Sequence, residues 1–463
     1  MPSVSNTTTI SPSHIEELYD QARANGSANE IELTTWEEIQ DFFSGGETRK
    51  AMQEAYDAIK SLNDTTDNVA LKIEKFKEFR NYAEPANRQQ FHIKIALSDE
   101  SSADHRFYLL INNLMVSYGD IAPSDTDALQ IIKDCKNYLD ADNHVLGLQK
   151  GKSSAYGLLP PPGKAYISQG VVGDCGIVAL TFGIFSKTAI LPYIERMLSL
   201  TENQELKLVF PKYDKYNSFH PTSDPDFITQ MDQKGYKIES SGNDSLSITF
   251  SNQRLQEIID APYSADTNFF LSNIIEHLAG NFILYESPPI IDNNLPAQST
   301  RRAKDLISDL PNGRHRSPSL NSYDNKIIHT FSPDLKTAKL FGFEGHRETP
   351  DDPEGTYRDR YAQLFVRRFE SALNSEYRFI ILILSKIGSS NPPPDRNHAY
   401  ILEGIITKEN QNKQKTITKV VLINPHNTEH RTTLDFEVFY RHLLQVSYFY
   451  PHYDHPIITP LRH

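Results

Sequence analysis

A cysteine stands where a polar, glycine-broken loop meets an apolar run, in Gln169-Gly-Val-Val-Gly-Asp-Cys175-Gly-Ile-Val-Ala-Leu180. The apolar run predicts a buried helix that begins at Cys175. The amides and the dipole of a helix start favour an anion, which lowers the pKa of a thiol. The sequence therefore predicts a nucleophilic Cys175. The second cysteine, Cys135, lies on the apolar face of a predicted helix and is interpreted as a core residue.

A nucleophilic thiol needs a base, a group that orients the base, and donors for an oxyanion. Downstream, His398 opens a predicted strand and Asn424 ends the next one. If those strands are neighbours, the two side chains lie side by side. Gln169 precedes the cysteine closely enough for its amide to join the Cys175 N–H as an oxyanion donor.

The order of these motifs resembles the calpain-type cysteine proteases of the papain superfamily. Gln-Gly-x-x-Gly-Asp-Cys ends at Cys175, His-Ala-Tyr starts at His398, and Asn-Pro starts at Asn424. The resemblance covers residues of about 160 to 450 as a series of patches. It implies an α+β, papain-like two-lobed protease region, with one helical lobe and one antiparallel sheet or barrel lobe. It also implies peptide-bond hydrolysis by a Cys175–His398–Asn424 triad, with Gln169 in the oxyanion hole.

Two positions depart from the family pattern. Gly176 and Ile177 follow the cysteine where the family usually has a tryptophan. His426 stands where the tryptophan of Asn-Pro-Trp would shield the His–Asn hydrogen bond from water. His426, His430 and His442 also compete with His398 for the role of base. The family's calcium-binding loops are not recognisable, so calcium control is not carried over.

Two alternative functions stay open. A deamidase, a transglutaminase or a ubiquitin-directed hydrolase uses the same kinds of side chain for thiol acyl transfer. A catalytically dead protease relative would instead work as a binding module through residues 13–148, and the departures at Gly176 and His426 keep that hypothesis open.

The elements around these motifs predict the following organisation. Capping boxes at Ser13–Glu16 and Thr35–Glu38 and several helical periodicities favour a mostly helical N-terminal domain. The predicted boundaries are a disordered start at 1–12, a helical accessory domain at 13–150, a lobe with the nucleophile at 151–290, an insertion or lid at 291–357, and a β-rich lobe with His398 and Asn424 at 358–463.

Composition limits the class of protein. Two cysteines fit a reducing compartment, and a net charge of −13 gives no general attraction to nucleic acid. The first residues lack a secretory signal and no apolar run is long enough to span a membrane, so we expect a cytoplasmic protein, although signal-independent export stays open. The expected partner is a protein or peptide substrate, and no cofactor or metal is expected.

His426-Asn-Thr-Glu-His430 has the spacing of an inverted zinc-protease motif, but a strand leads into it, and we interpret it as a polar turn.

Overall fold

The computed structural model describes residues 68–451 apart from 84, 97–104, 113, 123, 153–154, 170–174, 211–224, 242–244, 263–265, 282–332, 349–357, 386–397, 410 and 412. The chain divides into two compact units, Met1–Ala155 and Tyr156–His463. The predicted disordered start, both capping boxes and the helical periodicity near Met52 lie outside the described residues.

The first unit combines helices with a small sheet. Its elements are α1 (Val69–Tyr82), α2 (Pro85–Arg88), β1 (Phe91–Ala96), β2 (His105–Ile111), β3 (Leu114–Ile121) and α3 (Thr126–Leu148). The strands form an antiparallel sheet in the order β1-β2-β3. Asn68 and Asp125 cap α1 and α3, because each side chain accepts a hydrogen bond from an amide of the first turn. Cys135 lies buried on α3.

The second unit contains the predicted site residues. Its helices are α4 (Cys175–Phe185), α5 (Leu191–Arg196), α6 (Pro225–Gln233), α7 (Asn252–Asp260), α8 (Leu271–Asn281), α9 (Pro333–Leu340), α10 (Arg358–Leu373) and α11 (Phe436–His442). Its strands are β4 (Ile167–Ser168), β5 (Leu198–Leu200), β6 (Leu206–Phe210), β7 (Tyr236–Ser241), β8 (Ser245–Phe250), β9 (Asp266–Thr267), β10 (Phe343–Glu348), β11 (Phe379–Leu384), β12 (His398–Glu409), β13 (Lys415–Asn424), β14 (Asn427–Asp435) and β15 (Leu443–Pro451).

The strands of the second unit form three antiparallel sheets. The largest has the order β10-β15-β11-β12-β13-β14, a second has the order β5-β6-β8-β7, and β4 pairs with β9. The mixture of helices and antiparallel sheets is compatible with the α+β class predicted from the sequence. Residues 151–290, which were predicted as the helical lobe, contain the β5-β6-β8-β7 sheet in addition to their helices.

Helix α4 is the centre of this unit, and all eleven of its residues are buried. A helix that is apolar on every side has to be surrounded by protein. Its one hydroxyl, on Thr181, donates to the Ile177 carbonyl at 2.8 Å, so burial leaves that group satisfied. Within the described residues no single helix is long and apolar enough to cross a bilayer, and α4 reaches that length only together with residues 188–196, across an 80° bend.

The large sheet has a core on one face that α10 and α11 cover. Phe365 and Phe369 of α10 stack at 5.0 Å and pack with Leu382 of β11 and Leu422 of β13. On the other face, α4 approaches β11 so closely that a Cβ at Gly183 would lie 2.4 Å from the Phe379 ring. The sheet is therefore held between helices on both sides.

Residues 333–348 differ from the expectation of an insertion or lid. They form α9 and β10, and β10 pairs with β15 along its whole length as an edge strand of the large sheet. Ala338, Leu340, Phe341 and Phe343 are buried, so this part of the chain belongs to the core. The rest of the predicted insertion lies outside the described residues.

Burial of His277 makes the second unit sensitive to acid. Arg254 donates to its Nδ1 and the ring's Nε2 donates to the Ala261 carbonyl, both at 3.3 Å, so the neutral imidazole is fully hydrogen-bonded. Burial, with the charge of Arg254, lowers the pKa of His277 from 6.5 to about 3. Below pH 6.5 the unfolded chain therefore binds a proton that the folded chain does not.

We expect His277→Gln to reduce the acid sensitivity of this unit. The glutamine amide can still donate to the Ala261 carbonyl but takes up no proton. Between pH 7 and pH 5 the free energy of unfolding should fall by about 2 kcal/mol less in the variant than in the wild type. Urea denaturation at both pH values measures the difference. An equal fall in both proteins would contradict the prediction.

Candidate active site

His398 and Asn424 meet where two neighbouring strands begin and end. β12 begins at His398, β13 ends at Asn424, and the two strands are antiparallel, so these ends are adjacent. The His398 Nε2 and the Asn424 Oδ1 lie 2.8 Å apart. The structure therefore brings together two of the residues that the sequence analysis selected.

The hydrogen bonds around Asn424 fix the tautomer of His398. The backbone N–H of His426 donates to Asn424 Oδ1 at 3.0 Å, which identifies that atom as the oxygen of the carboxamide. An amide oxygen only accepts, so the 2.8 Å bond requires the proton of the neutral imidazole to be on Nε2. The lone pair is then on Nδ1, and that nitrogen is available as a base.

The segment that leads to Cys175 is hydrogen-bonded to the turn that follows Asn424. The Gln169 N–H donates to the Pro425 carbonyl at 2.9 Å, and the Ser168 hydroxyl donates to the His426 carbonyl at 2.7 Å. The Thr428 hydroxyl lies 3.0 Å from both the N–H and the carbonyl oxygen of Ile167. These bonds fix residues 167–169, here called the nucleophile segment, against the turn.

Cys175 is the first residue of α4 and is buried, and α4 packs against β11 and β12. Burial and, to a smaller degree, the charge of the Cys175 thiolate raise the pKa of Tyr400, so the sulfur is close enough to act on that phenol. The Tyr400 ring in turn meets the His398 ring edge-on at 4.9 Å. Gln169 is buried, and residues 170–174, which connect it to Cys175, lie outside the described residues.

The surroundings of His398 keep its imidazole neutral at neutral pH. Burial is the main cause that lowers the pKa of His398, and the charge of His426 lowers it further. The hydrogen bond to Asn424 acts in the opposite direction, and the resulting pKa is about 4. A neutral imidazole with a basic Nδ1 is the form that can take a proton from a thiol.

No protein-family model, curated protein or solved structure was found to match this chain. The assignment of a reaction therefore depends on the geometry of the described residues and on the resemblance of the motifs.

The three competing histidines have different surroundings. The His426 ring stacks on the His398 ring, with centroids 4.5 Å apart and planes inclined by 6°. His442 Nδ1 lies 3.1 Å from the Ser385 hydroxyl, and His430 is exposed on β14. Of the segment interpreted as a polar turn, only His426 lies in a turn, and residues 427–430 form the start of β14. Among the described residues no group of three or more His, Cys, Asp or Glu is placed to hold a metal.

Sequence reasoning missed the residues that join the nucleophile segment to the turn. Ser168 and Thr428 carry ordinary hydroxyl groups, and nothing in their local sequence indicates partners that lie 258 and 261 positions away. The contact between the rings of Tyr400 and His398 can, in contrast, be expected from the sequence. His398 and Tyr400 are two residues apart on one strand, so their side chains lie on the same face.

Proposed function

We propose that this chain is a cysteine endopeptidase with a papain-like two-lobed catalytic region, in which Cys175, His398 and Asn424 act together. The observation that carries the proposal is the 2.8 Å bond from His398 Nε2 to Asn424 Oδ1, beside a nucleophile segment fixed to the same turn. Because this bond keeps the proton of the neutral imidazole on Nε2, the lone pair on Nδ1 is left to accept the proton of a thiol. The choice of peptide bonds as the substrate comes from the resemblance of the motifs.

The reaction would begin when Nδ1 of His398 accepts the proton of the Cys175 thiol. The sulfur forms a bond to the peptide carbonyl carbon, and the carbonyl oxygen becomes an oxyanion. In this mechanism the N–H of Cys175, at the start of α4, donates to that oxyanion together with the Gln169 amide. The charge of the thiolate, once formed, stabilises the neighbouring imidazolium.

The second half of the reaction returns the protons. His398 gives its proton to the leaving amine as the carbon–nitrogen bond breaks, and a thioester to Cys175 remains. Water then attacks the thioester, with His398 taking its proton, and the imidazolium finally reprotonates the sulfur as the carboxylic acid leaves. Throughout these steps, Asn424 holds the Nε2–H and keeps Nδ1 directed at the reacting groups.

A thiol-directed epoxide or vinyl sulfone probe tests the proposal, since the chain contains its own control. Neither Cys135 nor Cys175 forms a disulfide, and the two are almost equally buried, at 5% and 6% exposure. Differences in labelling therefore report chemical activation rather than access. We expect the probe to modify Cys175 and not Cys135, as measured by peptide mass mapping, and His398→Ala to abolish the modification.

Equal labelling of both cysteines, or labelling of Cys175 that survives His398→Ala, would contradict the proposed site. The endopeptidase part has a separate test, in which new protein N-termini are compared between a proteome treated with the wild type and one treated with Cys175→Ala. Termini that appear only with the wild type support cleavage of peptide bonds. Labelling without new termini would exclude endopeptidase activity and favour another thiol acyl transfer.

A further inference from the structure

Two imidazoles lie face to face in the candidate site. The rings of His398 and His426 are 4.5 Å apart between centroids and almost parallel, at 6°. The backbone of His426 is held on both sides of the residue. Its N–H donates to Asn424 Oδ1 and its carbonyl accepts from the Ser168 hydroxyl. The ring of His426 is therefore placed over His398 by the same hydrogen bonds that organise the site.

The His426 ring, which covers one face of the His398 ring, has two physical effects on His398. A ring that lies flat on one face of the imidazole keeps water from that side of the Nε2–H···Oδ1 bond, and a less hydrated hydrogen bond holds its geometry better. A ring that can itself become a cation also repels a proton on its neighbour, so the two imidazoles cannot both be charged without a large cost.

The groups that face the pair do not cancel this repulsion. Tyr400 on β12 meets His398 edge-on, and Asn424 on β13 is uncharged. Among the described residues, no carboxylate contributes to the pKa of either imidazole. Any positive charge on His426 is therefore felt by His398 without compensation.

We propose that His426 is a positioning residue, whose ring fixes the orientation of His398 and whose protonation in acid prevents His398 from accepting the proton of the thiol. The catalytic consequence rests on the proposed function, but the interaction between the two rings does not. Burial lowers the pKa of His426 below its usual value, so the ring is a neutral cover at neutral pH. In more acidic solution it becomes a cation that opposes the imidazolium needed on His398.

Two substitutions separate the cover from the charge. His426→Phe keeps a flat ring over His398 and removes the charge, whereas His426→Ala removes both. Histidine side chains labelled with ¹³C and ¹⁵N in the full-length protein allow the ring of His398 to be titrated by NMR. Its signals are assigned by their loss in His398→Ala. This measurement requires no enzymatic activity, so it decides the inference even if the proposed function fails.

We expect the protonation midpoint of His398 to rise by about one pH unit in His426→Phe, because the neighbouring charge is gone. The Nε2–H proton should exchange slowly with water in the wild type and in His426→Phe, and rapidly in His426→Ala. An unchanged His398 titration in His426→Phe, or equally slow exchange in all three proteins, would overturn the proposal.

Discussion

Replacement of His398 by alanine is expected to lower kcat/KM for a peptide substrate by about 10²–10⁴-fold, the usual contribution of a general acid–base group. The reason is specific to the geometry of the site. The bond from Nε2 to Asn424 Oδ1 leaves Nδ1 as the basic nitrogen, and no other described histidine occupies that position. The loss should appear in kcat/KM at neutral pH, measured with a quenched fluorescent peptide.

His430→Ala is the matched control for this experiment. His430 is also a strand histidine of the large sheet, but it is exposed and lies on β14. Its removal should change kcat/KM by no more than about a factor of two, as is usual for a surface substitution. Similar losses in the two variants would show that His398 has no special role, and the proposed mechanism would then be wrong.

Replacement of Gly183 by alanine is expected to destabilise the second unit by about 3 kcal/mol, at the upper end of the usual effect of overpacking. A Cβ at this position would lie 2.4 Å and 2.6 Å from two atoms of the Phe379 ring. That ring cannot withdraw easily, because it stacks on Phe449 at 4.9 Å and packs against Phe343 at 5.8 Å. Either α4 or β11 would have to move.

Gly176→Ala provides the control within the same helix. A Cβ at Gly176 meets nothing within 4 Å, so the change adds no contact. Alanine favours a helix over glycine by about 0.5–1 kcal/mol, and a small stabilisation is expected. Calorimetric unfolding of the two variants should show changes of opposite sign. Equal destabilisation by both substitutions would contradict the packing of α4 on Phe379.

Local sequence patterns were sufficient for much of the framework. The apolar runs at Cys175–Phe185 and Phe379–Leu384 form α4 and β11, since a continuous apolar segment has to be buried whatever its neighbours are. The meeting of His398 and Asn424 was also predictable from chain order, because the start of one antiparallel strand lies beside the end of the next. Their catalytic roles stay predictions.

Contacts between distant parts of the chain could not be predicted in the same way. Thr428 contacts Ile167 across 261 positions, and the hydroxyl group of a threonine carries no information about such a partner. The stack of His426 on His398 depends on the exact geometry of a two-residue turn. Residues 333–348 were assigned to an insertion because their few apolar residues show no clear period. In the structure, β10 pairs with β15 at the edge of the sheet, and Ala338, Leu340, Phe341 and Phe343 are buried.

The bonds between β4 and the turn after β13 also have a consequence for biosynthesis. The ribosome delivers Ile167 long before Thr428, which follows it by 261 residues. Until the turn after β13 and the start of β14 have been synthesised, residues 167–169 lack the groups that hold them in place. If Cys175 acts as proposed, its sulfur would therefore stay inactive in the nascent chain until β13 and β14 have been synthesised and have paired.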